Sequence, residues 1–244
     1  MKKYLSVTAL AARGVVYKLL GLTLLCALLR AGEFWLRLRA ELKLPEAAPN
    51  IQWLLNDSRQ SLIFGICFIL LYAALCTVGL HARGGHPGYT LYRLRVSERV
   101  TAVLWAAVFA AALLIFWAAQ AGASLLLCRL YAARVGAEAY DNQTFFVLFY
   151  QNRLLHSLLP LDETSRWLRN FCMAAGLGLS ASAFSYRQRR GKLDYPAAAW
   201  GIYAAFIFPY GTGSFVHDML MSLIFLFAAG ISLYRIWEGG CYEA

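Results

Sequence analysis

Two long apolar runs that contain no charged residue place the strongest constraint on what this chain can fold into. They extend from Leu62 to Leu80 and from Val100 to Cys128. A helix needs about 20 mostly apolar residues to cross the hydrocarbon core of a bilayer, and both runs meet that need. A membrane β-barrel would instead show segments of about ten residues with alternating polarity. The chain is therefore predicted to be all-α and embedded in a membrane.

The overall composition agrees with a lipid environment. Hydrophobic residues make up 60% of the chain, charged residues only 15%, and the mean hydropathy is +0.54. A typical soluble domain is about 45–50% apolar and about 25% charged. These values exclude a disordered chain, a collagen and an ordinary cytosolic enzyme.

Further apolar runs bring the number of predicted membrane spans to six, within a single transmembrane domain over residues 1–244. The spans are 15–36, 62–80, 100–128, 171–186, 195–208 and 215–236. The longest segment between them is 129–170, which is predicted to lie outside the membrane. Its apolar part, 144–160, is too short to span and is interpreted as either an interfacial or a shallow re-entrant helix.

The distribution of basic residues predicts the orientation. Of the 23 Lys and Arg, 13 fall within the 55 residues of segments 1–18, 81–99, 187–194 and 235–244. The 85 residues of the opposite segments 37–61, 120–170 and 209–217 carry nine. Since cytoplasmic loops are enriched in Lys and Arg, both termini are predicted to be cytoplasmic and the protein to be a multi-pass protein of the cell (plasma) membrane. The net charge of +10 is then explained by topology, and nucleic acid is not predicted as a partner.

Charged residues inside a span are functional hypotheses, because burying charge in lipid is costly. Arg30 and Glu33 lie three residues apart on the first predicted span and can share a face. One interpretation is that they pair with each other near the outer end and reach toward water. The alternative is that they line a polar path for a substrate.

His217 and Asp218 open the last predicted span and follow a glycine-rich turn. Together with Ser214 they have the residue types of a catalytic triad, but triad partners approach from different elements, whereas these three share one helix start. Asp218 is better explained as a charge favourable to the helix dipole. His81 and His86 have no further ligand at metal spacing. No catalytic residue, metal site or cofactor is predicted, and the phosphate-loop motif GxxxxGK[ST] is absent.

Small residues repeat at four-residue spacing on the fourth and fifth predicted spans. Such faces let helix backbones approach closely in lipid. Because only a short basic loop joins the two spans, they are predicted to form a tight antiparallel hairpin. The residues are Ala174, Gly178 and Ser182 on one span and Ala197, Gly201 and Ala205 on the other.

The cytoplasmic loop 81–99 between the second and third spans contains a candidate docking element. Glycines and Pro87 interrupt the chain, after which Thr90 can cap a short amphipathic helix. Such a helix can dock onto a soluble partner, and its candidate contact residues are Tyr92, Arg93, Arg95 and Glu98. The alternative is an interfacial helix bound only to anionic lipid.

Six spans, cytoplasmic termini, a basic amphipathic N-terminus over Met1–Arg13 and a short cytoplasmic helix together resemble a subunit of an ABC exporter permease. The segments Tyr89–Arg99 and Tyr186–Lys192 are also similar to those of small permease-like proteins of Gram-positive anaerobes. The resemblance implies that the N-terminal helix lies along the membrane and that the loop after the second span touches a separate ATPase subunit.

The resemblance further implies that the chain is the membrane subunit of an ATP-driven transporter, surrounded by membrane lipid. One six-span chain would be half of a permease, so a homodimer or a second permease chain is expected. Two other classes stay open. One is an intramembrane enzyme that uses His217 and Asp218, or Arg30 and Glu33; the other is a membrane scaffold that transports nothing.

Overall fold

The structure, a computed structural model, describes residues 2–42, 51–56, 59–79, 96–135, 142–161, 163–192, 195–210 and 214–238. Over these ranges the regular elements are helices and no strand occurs, which confirms the all-α prediction for this part of the chain. The helices are α1 (Lys2–Glu41), α2 (Ile51–Asn56), α3 (Gln60–Cys76), α4 (Glu98–Val135), α5 (Asn142–Gln151), α6 (Arg153–Leu158), α7 (Thr164–Arg189), α8 (Tyr195–Ile207) and α9 (Phe215–Glu238), with a 3-10 turn over Phe208–Tyr210.

Three of these helices are long and apolar enough to cross a membrane, judged by length and composition. They are α1, α4 and α9. The helices α3 and α8 are apolar but shorter. The prediction of membrane-spanning helices is therefore confirmed in this coarser form, whereas six spans stay a prediction.

Contacts between the helices show that their directions alternate. Lys18 in the first half of α1 donates to the carbonyl of Ala74 near the end of α3, at 3.1 Å, while Arg30 further along α1 bonds Gln60 at the start of α3. The two helices are thus antiparallel. The positive charge of Lys18 also lies at the C-terminus of α3, where the helix dipole favours a cation.

Contacts of the same kind give the relative directions of the other helices. Antiparallel contacts join α3 to α8 and α4 to α7, whereas α7 and α9 run in the same direction. Between α3 and α8 the contacts are Tyr72–Ala197 and Phe64–Phe208. Between α4 and α7 they are Ala102–Ser182 and Trp117–Phe171. Between α7 and α9 they are Arg169–Asp218 and Ser180–Ser232.

Six helices, α1, α3, α4, α7, α8 and α9, therefore alternate in direction along the chain. The bundle has a basal end, around Lys18, Glu98 and Arg190, and a cap end, around Gln60 and Thr164. The first residues of α1 and the last of α9 both lie toward the basal end, where Val78 contacts Gly14 and Ile236 packs with Tyr186.

The N-terminal segment differs from the expectation that the resemblance raised. Residues 2–14 do not form a separate helix lying along the membrane; they continue into the first predicted span as one helix, α1. Val7, Ala11 and Val15 are buried at intervals of four residues and belong to the main core. That buried stripe is the physical reason that the segment stays attached to the bundle.

A second apolar core, the cap cluster, lies at the cap end. It contains Phe34 and Leu38 of α1, Leu54 of α2, Tyr131 of α4 and Phe149 of α5, among others. The helices α5 and α6 thus pack onto the extended tips of α1 and α4. Whether residues 144–160 are interfacial or re-entrant stays a prediction.

The helix α7 has the closest backbone contacts. A Cβ on Gly176 would lie 2.5 Å from the carbonyl oxygen of Phe225 on α9, and one on Gly178 would lie 2.7 Å from that of Ala106 on α4. Both are closer than carbon and oxygen can approach. The helix α7 is therefore held between α4 and α9 at distances that only glycine permits.

The two small-residue stripes face different helices. The stripe of Gly178 and Ser182 packs on α4, where Ser182 donates to the carbonyl of Ala102 at 2.6 Å. The other stripe packs on α3, where a Cβ on Gly201 would overlap the ring of Tyr72. The small-residue pattern therefore predicted the helix faces of close approach. The hairpin interpretation expected α7 and α8 to pack tightly on each other, whereas these two stripes pack on α4 and α3.

Replacing Gly178 by Ala should destabilise the bundle, since the added methyl group meets the backbone of α4. The expected loss in the free energy of unfolding is about 1–3 kcal/mol. The matched control is Gly230→Ala, since a Cβ at Gly230 on α9 meets nothing within 4 Å. Unfolding of both variants in detergent would be compared with wild type. Equal stability of the two variants would contradict the close packing.

Candidate functional site

A buried arginine on α1 forms the first polar cluster inside the bundle. The guanidinium of Arg30 is 1% exposed. It donates to Gln60 Oε1 at 2.7 Å, to Ser124 Oγ at 2.7 Å and to Gln120 Oε1 at 3.1 Å. These four residues, named here the arginine node, join α1 to α3 and α4 through side-chain hydrogen bonds.

The node is closed by hydrogen bonds that return to the backbone. The amide of Gln60 donates to the carbonyl of Arg30 at 3.0 Å, and that of Gln120 donates to the carbonyl of Thr23 at 3.2 Å. Because each amide is fixed by a second bond, its oxygen is oriented toward the guanidinium. The node is therefore preorganised rather than a chance contact of flexible side chains.

The arginine node carries a positive charge that no carboxylate of the described residues contacts. Glu33, the expected partner of Arg30, points elsewhere. It pairs with Arg37 at 3.4 Å and accepts the backbone N–H of Arg59 at 2.7 Å. Neutral oxygens stabilise the guanidinium by hydrogen bonds but leave its net charge uncompensated.

The second polar cluster, named here the ion-pair cluster, joins α7 to α9 at the cap end. Arg169 Nη1 lies 3.1 Å from Asp218 Oδ1, and Arg166 Nε lies 3.7 Å from Asp218 Oδ2. Arg166 also contacts Glu163 at the start of α7. Asp218 is fully buried and Arg169 is 1% exposed. Two cations and two carboxylates therefore balance each other, and of these four side chains only that of Glu163 is partly exposed to solvent.

Further contacts connect this cluster to α6. His156 Nε2 lies 3.4 Å from Glu163 Oε2, and the amide of Asn170 donates to the carbonyl of Ser157 at 2.9 Å. Trp167 on α7 donates to the carbonyl of Pro160 at 2.6 Å. The α6 segment is thus held onto the start of α7.

The electrostatics of the cluster reflect its burial. Arg166 and Arg169 precede the predicted span 171–186, and burial lowers the pKa of both guanidinium groups. The charge of Asp218 opposes that shift. Since the guanidinium group of arginine is not deprotonated in proteins, both groups stay charged at neutral pH. The cluster therefore holds fixed charge.

The side chains of the candidate triad have different surroundings in the structure. Asp218 directs its carboxylate to α7, where Ser165 Oγ also donates to Oδ2 at 3.3 Å. Ser214 is exposed and His217 is half-exposed. Asp218 lies in the first turn of α9, where the sequence placed it, and it also acts across helices by contacting Arg166 and Arg169. Among the described residues, no group of three or more His, Cys, Asp or Glu could hold a metal ion.

Several residues of these two clusters were not identified from the sequence, and four of them contact the two that were, Arg30 and Asp218. Gln60 and Gln120 hold Arg30, and Arg166 and Arg169 hold Asp218. A signal existed in each case: Gln120 interrupts an otherwise apolar run, and two arginines three residues apart share a helix face just before a span.

The predicted docking residues Tyr92, Arg93 and Arg95 lie outside the described residues. The fourth, Glu98, opens α4 at the basal end and pairs with Arg190 Nη2 at 2.8 Å. At the same end Ser185 Oγ on α7 donates to the carbonyl of Val78 at 2.7 Å. Both chain ends that flank the docking segment are therefore tied to the last turns of α7.

Comparison with known proteins gives no relative: no family model, no curated protein and no solved structure matches this chain.

Replacing Asp218 by Asn should destabilise the protein, because two buried arginines would then share one carboxylate. Breaking a buried ion pair typically costs about 3–5 kcal/mol. The matched control is His217→Asn, at the neighbouring half-exposed position. In the double variant Asp218→Asn/Arg169→Gln part of the stability should return, since one unpaired cation is removed. Unfolding in detergent measures all three, and an unchanged Asp218→Asn protein would contradict the role of the ion-pair cluster.

Proposed function

We propose that this chain is the membrane-spanning subunit of an ATP-driven transporter and works with a separate ATPase subunit. The observation that carries the proposal is the alternating order of α1, α3, α4, α7, α8 and α9. It brings both described ends of the chain, and the ends of the two basic loops, to the basal end of one bundle. That is the arrangement expected of half a transporter permease.

The proposed topology has six spans, with the basal end in the cytoplasm of a plasma-membrane protein. The basic residues of the described basal segments support it, because Lys and Arg are enriched in cytoplasmic loops. They include Lys18 on α1, Arg187, Arg189 and Arg190 at the end of α7, and Arg235 on α9.

The polarity of α7 is compatible with its being a span. Its buried residues include Ser180, Ser182 and Ser185, and each of these hydroxyls has a hydrogen-bond partner on another helix or at the end of α3. A span that is enclosed by other helices need not be apolar, because its polar groups are satisfied inside the protein.

The basal end offers a frame on which a partner can act. The segment between Val78 and Glu98 is anchored at both ends to the last turns of α7. Force applied to that segment would reach α7 directly. Since the chain has no phosphate-loop motif, the nucleotide chemistry is assigned to a second subunit.

The alternatives from the sequence are less well supported by the clusters. General acid–base catalysis needs a group that gains and loses a proton. Both carboxylates of the ion-pair cluster, Asp218 and Glu163, are engaged by arginine side chains, which do not exchange protons at neutral pH. A membrane scaffold that transports nothing would account for the ion pairs, but it would not explain why the charge of Arg30 is left uncompensated.

Cysteine labelling tests the topology. Arg153→Cys at the cap end should react with a membrane-impermeant thiol reagent in intact cells, whereas Lys192→Cys at the basal end should react only after permeabilisation. Both positions are exposed, and four of the native cysteines in the described residues are buried. The background should have its native cysteines replaced. The reverse labelling pattern would overturn the proposed orientation.

Affinity purification from native membranes tests the partner. Wild type should bring down an ATPase, and Arg93→Glu/Arg95→Glu should lose it, because charge reversal repels an acidic docking surface. Arg153→Glu, a charge reversal at the opposite end, should retain it. If wild type brings down no ATPase, the transporter proposal fails.

A further inference from the structure

The seam between α1 and α4 contains an open groove of about 680 Å3. Both walls are helices that are long and apolar enough to cross a membrane, so the groove opens toward lipid. Its floor is made of small residues, and its exposed rims are Leu24 and Leu126. The lining residues include Thr23 and Ala27 on α1 and Ala119, Gly122, Ala123 and Arg129 on α4.

The shape of the groove suits a hydrocarbon chain. Ala119 and Arg129 line its two ends on α4, which at 1.5 Å per residue gives a length of about 15 Å. Its volume lies within the range of about 300–1,000 Å3 that is typical of ligand sites. A Cβ on Gly122 would meet nothing within 4 Å, which confirms that the floor is open rather than tightly packed.

Charge indicates which end of the ligand lies where. Arg129 is exposed at the end of the groove that lies toward the cap end of the bundle, just beyond the apolar run that ends at Cys128. It forms no ion pair within the described residues. The apolar part of the groove extends from Arg129 toward the basal end of the bundle. A ligand with an anionic head and an apolar tail would thus place its head at Arg129 and its tail along Ala123 and Ala119.

The arginine node lies behind the same groove. Arg30 bonds Gln120 and Ser124, and the residues next to them in the chain, Ala119 and Ala123, line the groove. In a medium of low dielectric constant, its uncompensated charge acts over a long range. This charge favours an anionic occupant.

We propose that the α1–α4 groove binds an anionic phospholipid of the surrounding membrane, with its headgroup at Arg129 and one acyl chain on the floor formed by Ala119, Gly122 and Ala123. This site is independent of the proposed ATPase partner, and it holds whether or not the protein is a transporter. In this groove the protein binds one membrane lipid as a specific ligand, in addition to being surrounded by lipid.

The test uses the purified full chain in nanodiscs of phosphatidylcholine. Phosphatidylglycerol or phosphatidylcholine that carries a photoreactive group on one acyl chain is added as the probe. Cross-linked residues are then mapped by mass spectrometry. For wild type, labelling of the α1–α4 groove should favour phosphatidylglycerol by about fivefold, which is the equivalent of about 1 kcal/mol per cation.

Two variants separate the tail from the head. Gly122→Leu fills the floor and should abolish labelling in the groove by both probes. Gly21→Leu, at a second open glycine that does not line the groove, should leave the labelling unchanged. Arg129→Gln should keep the labelling but lose the preference for phosphatidylglycerol, while Arg153→Gln should keep both.

Equal labelling of wild type by the two probes would overturn the proposal, and so would groove labelling that Gly122→Leu leaves intact. If labelling is absent and cross-links instead join α1 and α4 of two copies, the groove belongs to a second copy and the lipid site is rejected. Arg129 is exposed, so the Arg129→Gln result stands even if Gly122→Leu fails to fold.

Discussion

The rest of the structure depends on the enclosure of α7. This helix is 26 residues long, yet it is not among the helices that are apolar enough to face lipid. Its serines, Asn170 and two arginines need polar partners, and its glycines need close neighbours. The bundle satisfies both needs by placing α7 between α4 and α9. A polar helix within a membrane bundle thus determines which apolar helices surround it.

The two polar clusters connect the helices in complementary ways. The arginine node joins the first three long helices, α1, α3 and α4, by hydrogen bonds to neutral groups. The ion-pair cluster joins α7 and α9 and holds α6. Hydrogen bonds between membrane helices contribute about 0.6 kcal/mol each on average. The value of the clusters is therefore mainly that they specify which helix faces meet.

Much of the fold could be predicted from the sequence, because helix formation and hydropathy are local properties. The apolar runs predicted the positions of α3, α4, α8 and α9, and most of the predicted helix ends lie within a few residues of the observed ones. The α1 boundary was missed, since a buried stripe of Val7, Ala11 and Val15 depends on what packs against it. Partner choice is likewise non-local. Spacing allowed Arg30 to pair with Glu33, but Arg30 bonds Gln60 of α3 and Glu33 pairs with Arg37 of its own helix. The small-residue stripes predicted close backbone approach, and Gly178 and Gly201 make it with α4 and α3.

The continuity of α1 has a mechanical consequence. The helix extends from Lys2 to Glu41 without a proline, so it has none of the usual sites of a sharp kink. At 1.5 Å per residue it measures about 60 Å, about twice the thickness of the hydrocarbon core. Tilting such a rod by about 10° displaces one tip relative to the other by about 10 Å. A movement at the basal end therefore becomes a lateral shift of the cap cluster.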